Sequence, residues 1–145
     1  MKKVLIINGP NLNMLGKRPK EHYGSLTLEE INQKIIQENN GYFELDFFQS
    51  NCEGELITKI QQSLNYYGIL INPASYTHSS IGIRDALEMC TGIKLEIHLS
   101  KVDEREPFRR VNLIRDVCDG TYLGKHENSY LEALRYLKKA AEERE

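Results

Sequence analysis

The stretch GILINPASYTHSSIGIRDAL, Gly68–Leu87, decides the fold. Gly68–Ile71 is apolar at consecutive positions, which marks a strand buried on both faces rather than one with a wet side. Asn72-Pro73 closes it, and helical spacing follows over about Ser79–Cys90. The same order of strand, turn and helix recurs on either side. Upstream, Lys3–Ile7 is a β-branched run ended by Gly9-Pro10, and Tyr42–Phe48 reads as a second strand. Between them, Thr27 with Glu30 forms a capping-box signature, and Leu28, Ile31, Ile35 and Ile36 keep helical spacing to about Asn39. Glu53–Leu64 is a further helix, with Leu56, Ile57, Ile60 and Leu64 on one stripe. Downstream, Lys94–His98 is a fourth strand and Arg105–Arg110 a short helical turn. Val117–Leu123 is a weaker fifth strand interrupted by Gly120, and a helix rich in Leu, Ala, Lys and Glu begins near Ser129.

Five strands alternating with helices predict an α/β fold. The economical arrangement is a flavodoxin-like three-layer sandwich around a five-stranded parallel sheet, order 2-1-3-4-5. At 145 residues the chain has the size of one compact domain, expected to span 1–145. Hydrophobic residues (40%) suffice for a core and charged residues (28%) for a solvated surface, which excludes a disordered chain. The longest wholly apolar run, Val4–Ile7, is far short of a membrane span, and "MKK" leads into it without the apolar stretch of a secretory signal. A formal charge of −2, from 19 basic and 21 acidic residues, leaves no electrostatic footprint for nucleic acid or an anionic bilayer. Cys52, Cys90 and Cys118 are odd in number and form no CxxC, so reduced thiols in a cytoplasm are expected rather than disulfides.

In an open parallel sheet, ligands bind beyond the carboxyl ends of the strands, near the switch point between strands 1 and 3. The loops after strands 1, 3 and 4 should therefore build a site. The first, Asn8–Gly24, carries Asn11, Arg18 and Tyr23, and a connection that long is either an active-site lid or a surface loop. It contains neither GxGxxG nor GxxxxGK[ST], so no dinucleotide or Walker-type site is expected. A guanidinium such as Arg18 stabilises a phenolate and lowers its pKa from about 10, which would make Tyr23 a general base. After strand 3, Asn72 stands at the strand end and His78 precedes a helix whose first amides are free for an anion. Asp85, seven residues on, would share its face; alternatively Thr77 or Ser79 caps the helix and Asp85 is a solvated charge beside Arg84. After strand 4, alternation puts Glu96 and His98 on one side. The carboxylate would orient the imidazole as a general acid, unless the pair is structural. Leu99 and Ser100 would offer backbone donors. The four histidines show no ligand spacing, so no metal is expected.

At these residues the sequence resembles the type II dehydroquinases, the type II 3-dehydroquinate dehydratases. The resemblance runs through INGPNLNMLGKR (Ile7–Arg18), Tyr23-Gly24, DFFQSNCEGELI (Asp46–Ile57), INPASYTHSSIGIRDAL (Ile71–Leu87), EIHLS (Glu96–Ser100) and Arg105–Arg109. It implies a metal-free and cofactor-free hydro-lyase that converts 3-dehydroquinate to 3-dehydroshikimate and water by anti elimination through an enolate, in the shikimate pathway or in quinate breakdown. On that resemblance Tyr23 is the base, Arg18 keeps its phenol acidic, and Asn11 stabilises the enolate through water. His98, held by Glu96, is the acid. Asn72, Leu99 and Ser100 take the substrate carboxylate, and His78 and Arg109 contact ring hydroxyls. Asp85 completes a neighbouring subunit's site in a homododecamer built of four trimers.

Some positions depart from the family's pattern. Pro19-Lys20 stands in place of Glu-Pro, Lys101 in place of Asn, and Glu104 where a small residue is common. GKHENSY (Gly124–Tyr130) replaces a glycine-rich turn. Two other readings compete. A flavodoxin-like FMN-binding module would need a Ser/Thr-rich phosphate loop, which Asn8–Asn13 does not supply. A non-catalytic relative would be free to lose Tyr23, Arg18 and His98, and all three are present.

Overall fold

The computed structural model describes residues 1–144. Five strands, β1 (Lys3–Asn8), β2 (Glu44–Gln49), β3 (Gly68–Asn72), β4 (Ile93–His98) and β5 (Gly120–Leu123), form one parallel sheet in the order β2-β1-β3-β4-β5. Five helices accompany them: α1 (Lys20–Tyr23), α2 (Leu28–Asn39), α3 (Glu53–Gln61), α4 (Ile81–Glu88) and α5 (Asn128–Glu143). Strand side chains alternate between faces, so the consecutive apolar residues of β1 feed two cores. Val4 and Ile6 pack with Leu70, Leu95 and Ile97 under Ile31 and Ile35 of α2 and Leu134 and Leu137 of α5. Leu5 and Ile7 pack with Ile69 and Ile71 against Leu56 and Ile60 of α3 and Ile83 and Leu87 of α4. Each such fully buried side chain contributes about 1.5–3 kcal/mol of hydrophobic stabilisation. The expected three layers and strand order are those observed.

The element boundaries differ in instructive places. The strand predicted over Val117–Leu123 begins only at Gly120, because Arg115–Val117 is a 3₁₀ turn. The helix predicted from Ser79 begins at Ile81, capped by the Ser80 hydroxyl, which accepts from the Ile83 amide. His78 therefore belongs to a separate 3₁₀ turn, Ala74–His78, and does not share a helical face with Asp85. The capping box is present as read, with Thr27 and Glu30 bonding each other's amides. The loop after β1 contains two elements not expected, a 3₁₀ turn over Leu12–Met14 and the single-turn α1.

The crevice above the sheet starts where β1 and β3 end in register at Asn8 and Asn72. The Gly9 amide donates to the Asn72 carbonyl at 2.8 Å. A Cβ on Gly9 would stand 2.4 Å from the Pro73 carbonyl oxygen, so only glycine lets the two chains approach this closely. Beneath them lies the phenol of Tyr130, wholly buried on α5. Its hydroxyl donates to Asn8 Oδ1 and accepts from Asn72 Nδ2 at 3.0 Å. Asn72 Oδ1 in turn accepts from the Ala74 amide at 3.1 Å, which fixes the orientation of the amide group.

Candidate active site

Above that floor a cleft opens beyond the carboxyl ends of β1, β3 and β4. Asn11, Arg18, Tyr23, Asn72, His78, His98, Leu99, Ser100 and Arg109 all line it, as the sequence anticipates. Glu96 is buried behind His98, and Asp85 is exposed on α4 outside the lining. The Arg84 guanidinium, the alternative partner read for Asp85, bonds Asp116 instead.

The phenol is more elaborately held than the sequence indicates. Arg18 lies over the Tyr23 ring, its Cζ 3.6 Å from the centroid. Arg105, which sequence reasoning assigned no role, donates from Nη1 to the Tyr23 hydroxyl oxygen at 2.7 Å. Arg109 lines the same cleft, tethered to Glu106 at 3.0 Å. Burial lowers the pKa of the Arg18 guanidinium, the Tyr23 phenol opposes that shift, and Arg105 and Arg109 reinforce it. Arginine nevertheless keeps its charge. Two guanidinium groups against one phenol, with a third lining the same cleft, form a site suited to an anionic ligand.

The imidazole is held from the other side. His98 Nε2 lies 2.6 Å from Glu96 Oε2, and the two side chains are 5% and 0% exposed. Asn112 donates to the same oxygen at 2.7 Å, while Arg115 and Thr121 donate to Oε1 at 2.8 and 2.9 Å. Burial alone would raise the Glu96 pKa. The hydrogen bonds from His98, Arg115 and Asn112 overcome it and lower the pKa from 4.5 to about 2. An ionised carboxylate only accepts, so Nε2 carries a proton and Nδ1 is the nitrogen available to the cleft. His78 is fixed by a different partner, donating from Nδ1 to the Val111 carbonyl at 2.6 Å and leaving Nε2 free. Asn11 takes a left-handed conformation (φ 69), and its amide donates to Asn51 Oδ1 at 3.0 Å.

The Glu96 network makes a stability prediction. The folded pKa lies below the unfolded one, so the stabilisation is complete above about pH 5 and is lost as pH falls toward 2. The shift corresponds to about 3 kcal/mol, of which about 2 kcal/mol should disappear between pH 7 and pH 3. Urea unfolding at the two pH values should show that loss, and Glu96→Gln should flatten the acid limb by the same amount. An unchanged acid limb in the variant would mean the carboxylate is not held in this way.

Elsewhere, burial, with Glu96 nearby, pushes the Cys118 thiol up to about 12, which leaves it chemically inert near neutral pH. Among the described residues, no cluster of three or more His, Cys, Asp or Glu is placed to hold a metal ion. No described helix is long and apolar enough to cross a membrane.

Comparison with known proteins agrees with this geometry. The family model described as Dehydroquinase class II matches residues 2–138. A 3-dehydroquinate dehydratase of Thermotoga maritima is 46% identical over 144 residues, covering 97% of this chain and 98% of the relative. One from Francisella philomiragia is 49% identical over 140 residues, covering 92% and 95%. The crystal structure of a type II dehydroquinase from Butyrivibrio crossotus superimposes with a TM-score of 0.88 at 41% identity, covering 94% of this chain and 97% of that one.

Proposed function

The chain belongs to the class II dehydroquinase family and is a hydro-lyase acting on 3-dehydroquinate; on that premise we propose which of its residues perform the elimination. The observation that carries the assignment is the hydrogen bond from Arg105 to the Tyr23 oxygen, with Arg18 stacked on the same ring. Acting as the phenolate, with Arg105 donating to its oxygen, Tyr23 takes a proton from C2 of the ring, next to the ketone. The electron pair moves into a C2–C3 enolate, whose oxygen Asn11 stabilises through water. The enolate then collapses to the C1–C2 double bond as the C1 hydroxyl leaves. His98 enters as the imidazolium, its Nε2–H held by Glu96, and supplies the proton on Nδ1, so that water departs. The Tyr23 proton and the His98 vacancy then equilibrate with solvent, restoring both groups.

The remaining lining residues hold the ring. Asn72, locked by Tyr130 and Ala74, and the Leu99 and Ser100 amides at the end of β4 receive the substrate carboxylate. His78 and Arg109 contact ring hydroxyls. Asp85, free on the surface of α4, reaches the cleft of a neighbouring copy in a dodecamer of four trimers. Exposed Ile81 on α4 and exposed Phe108 and Val111 in the adjoining segment support such packing. Residues 1–145 form one catalytic domain, and the free thiols of Cys52, Cys90 and Cys118 suit a cytoplasmic enzyme. The flavin-binding and non-catalytic alternatives are disfavoured by the family match.

Purified protein given 3-dehydroquinate should produce the ultraviolet absorbance of the conjugated enone. Arg105→Gln should lower kcat by about 10–100-fold, the effect of removing one hydrogen bond to a charged group. Absent enone formation in the parent protein would overturn the reaction. An unaffected Arg105→Gln would overturn the role given to Arg105.

A further inference from the structure

The segment that carries Tyr23 is weakly anchored. Helix α1 has no fully buried residue, and among its side chains it is the partly buried Tyr23 ring that packs on the core. Its own backbone bonds, Tyr23 to Pro19 and Gly24 to Lys20, shape the turn but do not place it over the sheet. Two tertiary hydrogen bonds reach it. One is the Arg105 contact with the Tyr23 hydroxyl, within the site. The other comes from His126, in the turn Gly124–Tyr130 where the sequence departs from the family's pattern.

His126 spans two structures. Its backbone amide donates to the Leu99 carbonyl at 3.1 Å, which ties it to the loop after β4. Its Nε2 lies 3.3 Å from the Glu21 carbonyl on α1. A carbonyl only accepts, so Nε2–H donates there in the neutral and the charged ring alike. The His126 Cβ and Cγ also lie 3.3 Å from where a side chain on Gly24 would begin, so the absence of one at Gly24 admits the ring. The contact is made from a left-handed backbone (φ 50), uncommon outside glycine but one that His, like Asn and Asp, adopts more readily than most residues.

We propose that His126 is a positioning residue for Tyr23, a latch that ties α1 to the Leu99–Ser100 loop and holds the lid over the cleft before substrate arrives. The base and the loop that takes the carboxylate are thereby set at a fixed separation. This rests on the dehydratase reading above. Without the latch, a smaller fraction of molecules presents the competent lid, and apparent affinity falls by that fraction. Once substrate fills the cleft its own contacts hold the lid, so the chemical step is spared.

His126→Gly tests this, because glycine relieves the backbone conformation and the fold is retained. The α1 amides should exchange hydrogen about 3–10-fold faster without substrate, the range expected for one hydrogen bond. The kcat/KM should fall about 3–10-fold, carried by KM, with kcat within about twofold of the parent. His126→Asn tolerates the same backbone but is too short to reach Glu21, and should behave alike. Lys125→Ala, which alters the same turn and removes only the ion pair to Glu132, should change neither reading. Both changes are required: unaltered α1 exchange, or a lowered kcat with KM intact, overturns the latch. Exchange is read without substrate, so it judges the latch even if Tyr23→Phe were to show that the assigned reaction is wrong.

Discussion

Tyr23→Phe is expected to lower kcat by about 10²–10⁴-fold while leaving KM close to its parent value. The substitution removes one oxygen and keeps the ring on which Arg18 stacks, so the lid retains its packing. What is lost is the proton acceptor that Arg105 addresses. Steady-state enone absorbance gives the rate. Solvent-deuterium incorporation at C2, followed by mass spectrometry of recovered substrate, asks separately whether the first proton transfer still occurs. Both signals should vanish together. A variant that turns over within tenfold of the parent would place the base elsewhere in the cleft.

His98→Asn should be as damaging to turnover, about 10²–10⁴-fold in kcat, yet leave deuterium incorporation at C2 in place. Tyr23, Arg18 and Arg105 are untouched by the change, so an enolate still forms and is reprotonated. Only expulsion of the hydroxyl lacks its acid. Glu96 keeps Asn112, Arg115 and Thr121 as donors, and so remains paired and does not unfold its surroundings. Loss of exchange along with turnover would mean that His98 acts in the first step as well. The two variants together thus separate the halves of the elimination.

The layered fold was legible because each strand announces itself locally. Val4–Ile7 and Gly68–Ile71 are apolar on both faces, and parallel strands joined by helices have few ways to connect. The edges were less legible: Val117 has the composition of a strand but turns in a 3₁₀ bend, where packing overrides propensity. In the site, the residues on strand ends, Asn72, Glu96 and His98, follow from alternation and topology. Arg105 does not, because its partner lies 82 positions away and nothing in local spacing pairs two loops. Its presence in a motif shared with Arg109 was the available signal. Asn112, Arg115 and Thr121 were missed for the same reason, since a buried carboxylate implies donors without saying which segment brings them. Asp85 shows the converse, a residue placed by resemblance that a lone copy leaves outside its own cleft.

The buried hydroxyl of Tyr130 has a consequence for biogenesis. Asn8 and Asn72 leave the ribosome long before the helix that carries Tyr130, so a nascent chain halted ahead of that helix leaves Asn8 Oδ1 and Asn72 Nδ2 without the hydroxyl that joins them. Competence to hold a ligand therefore waits on α5, and a product halted before it lacks both the Tyr130 hydroxyl beneath the switch point and the Leu134 and Leu137 cover over the sheet.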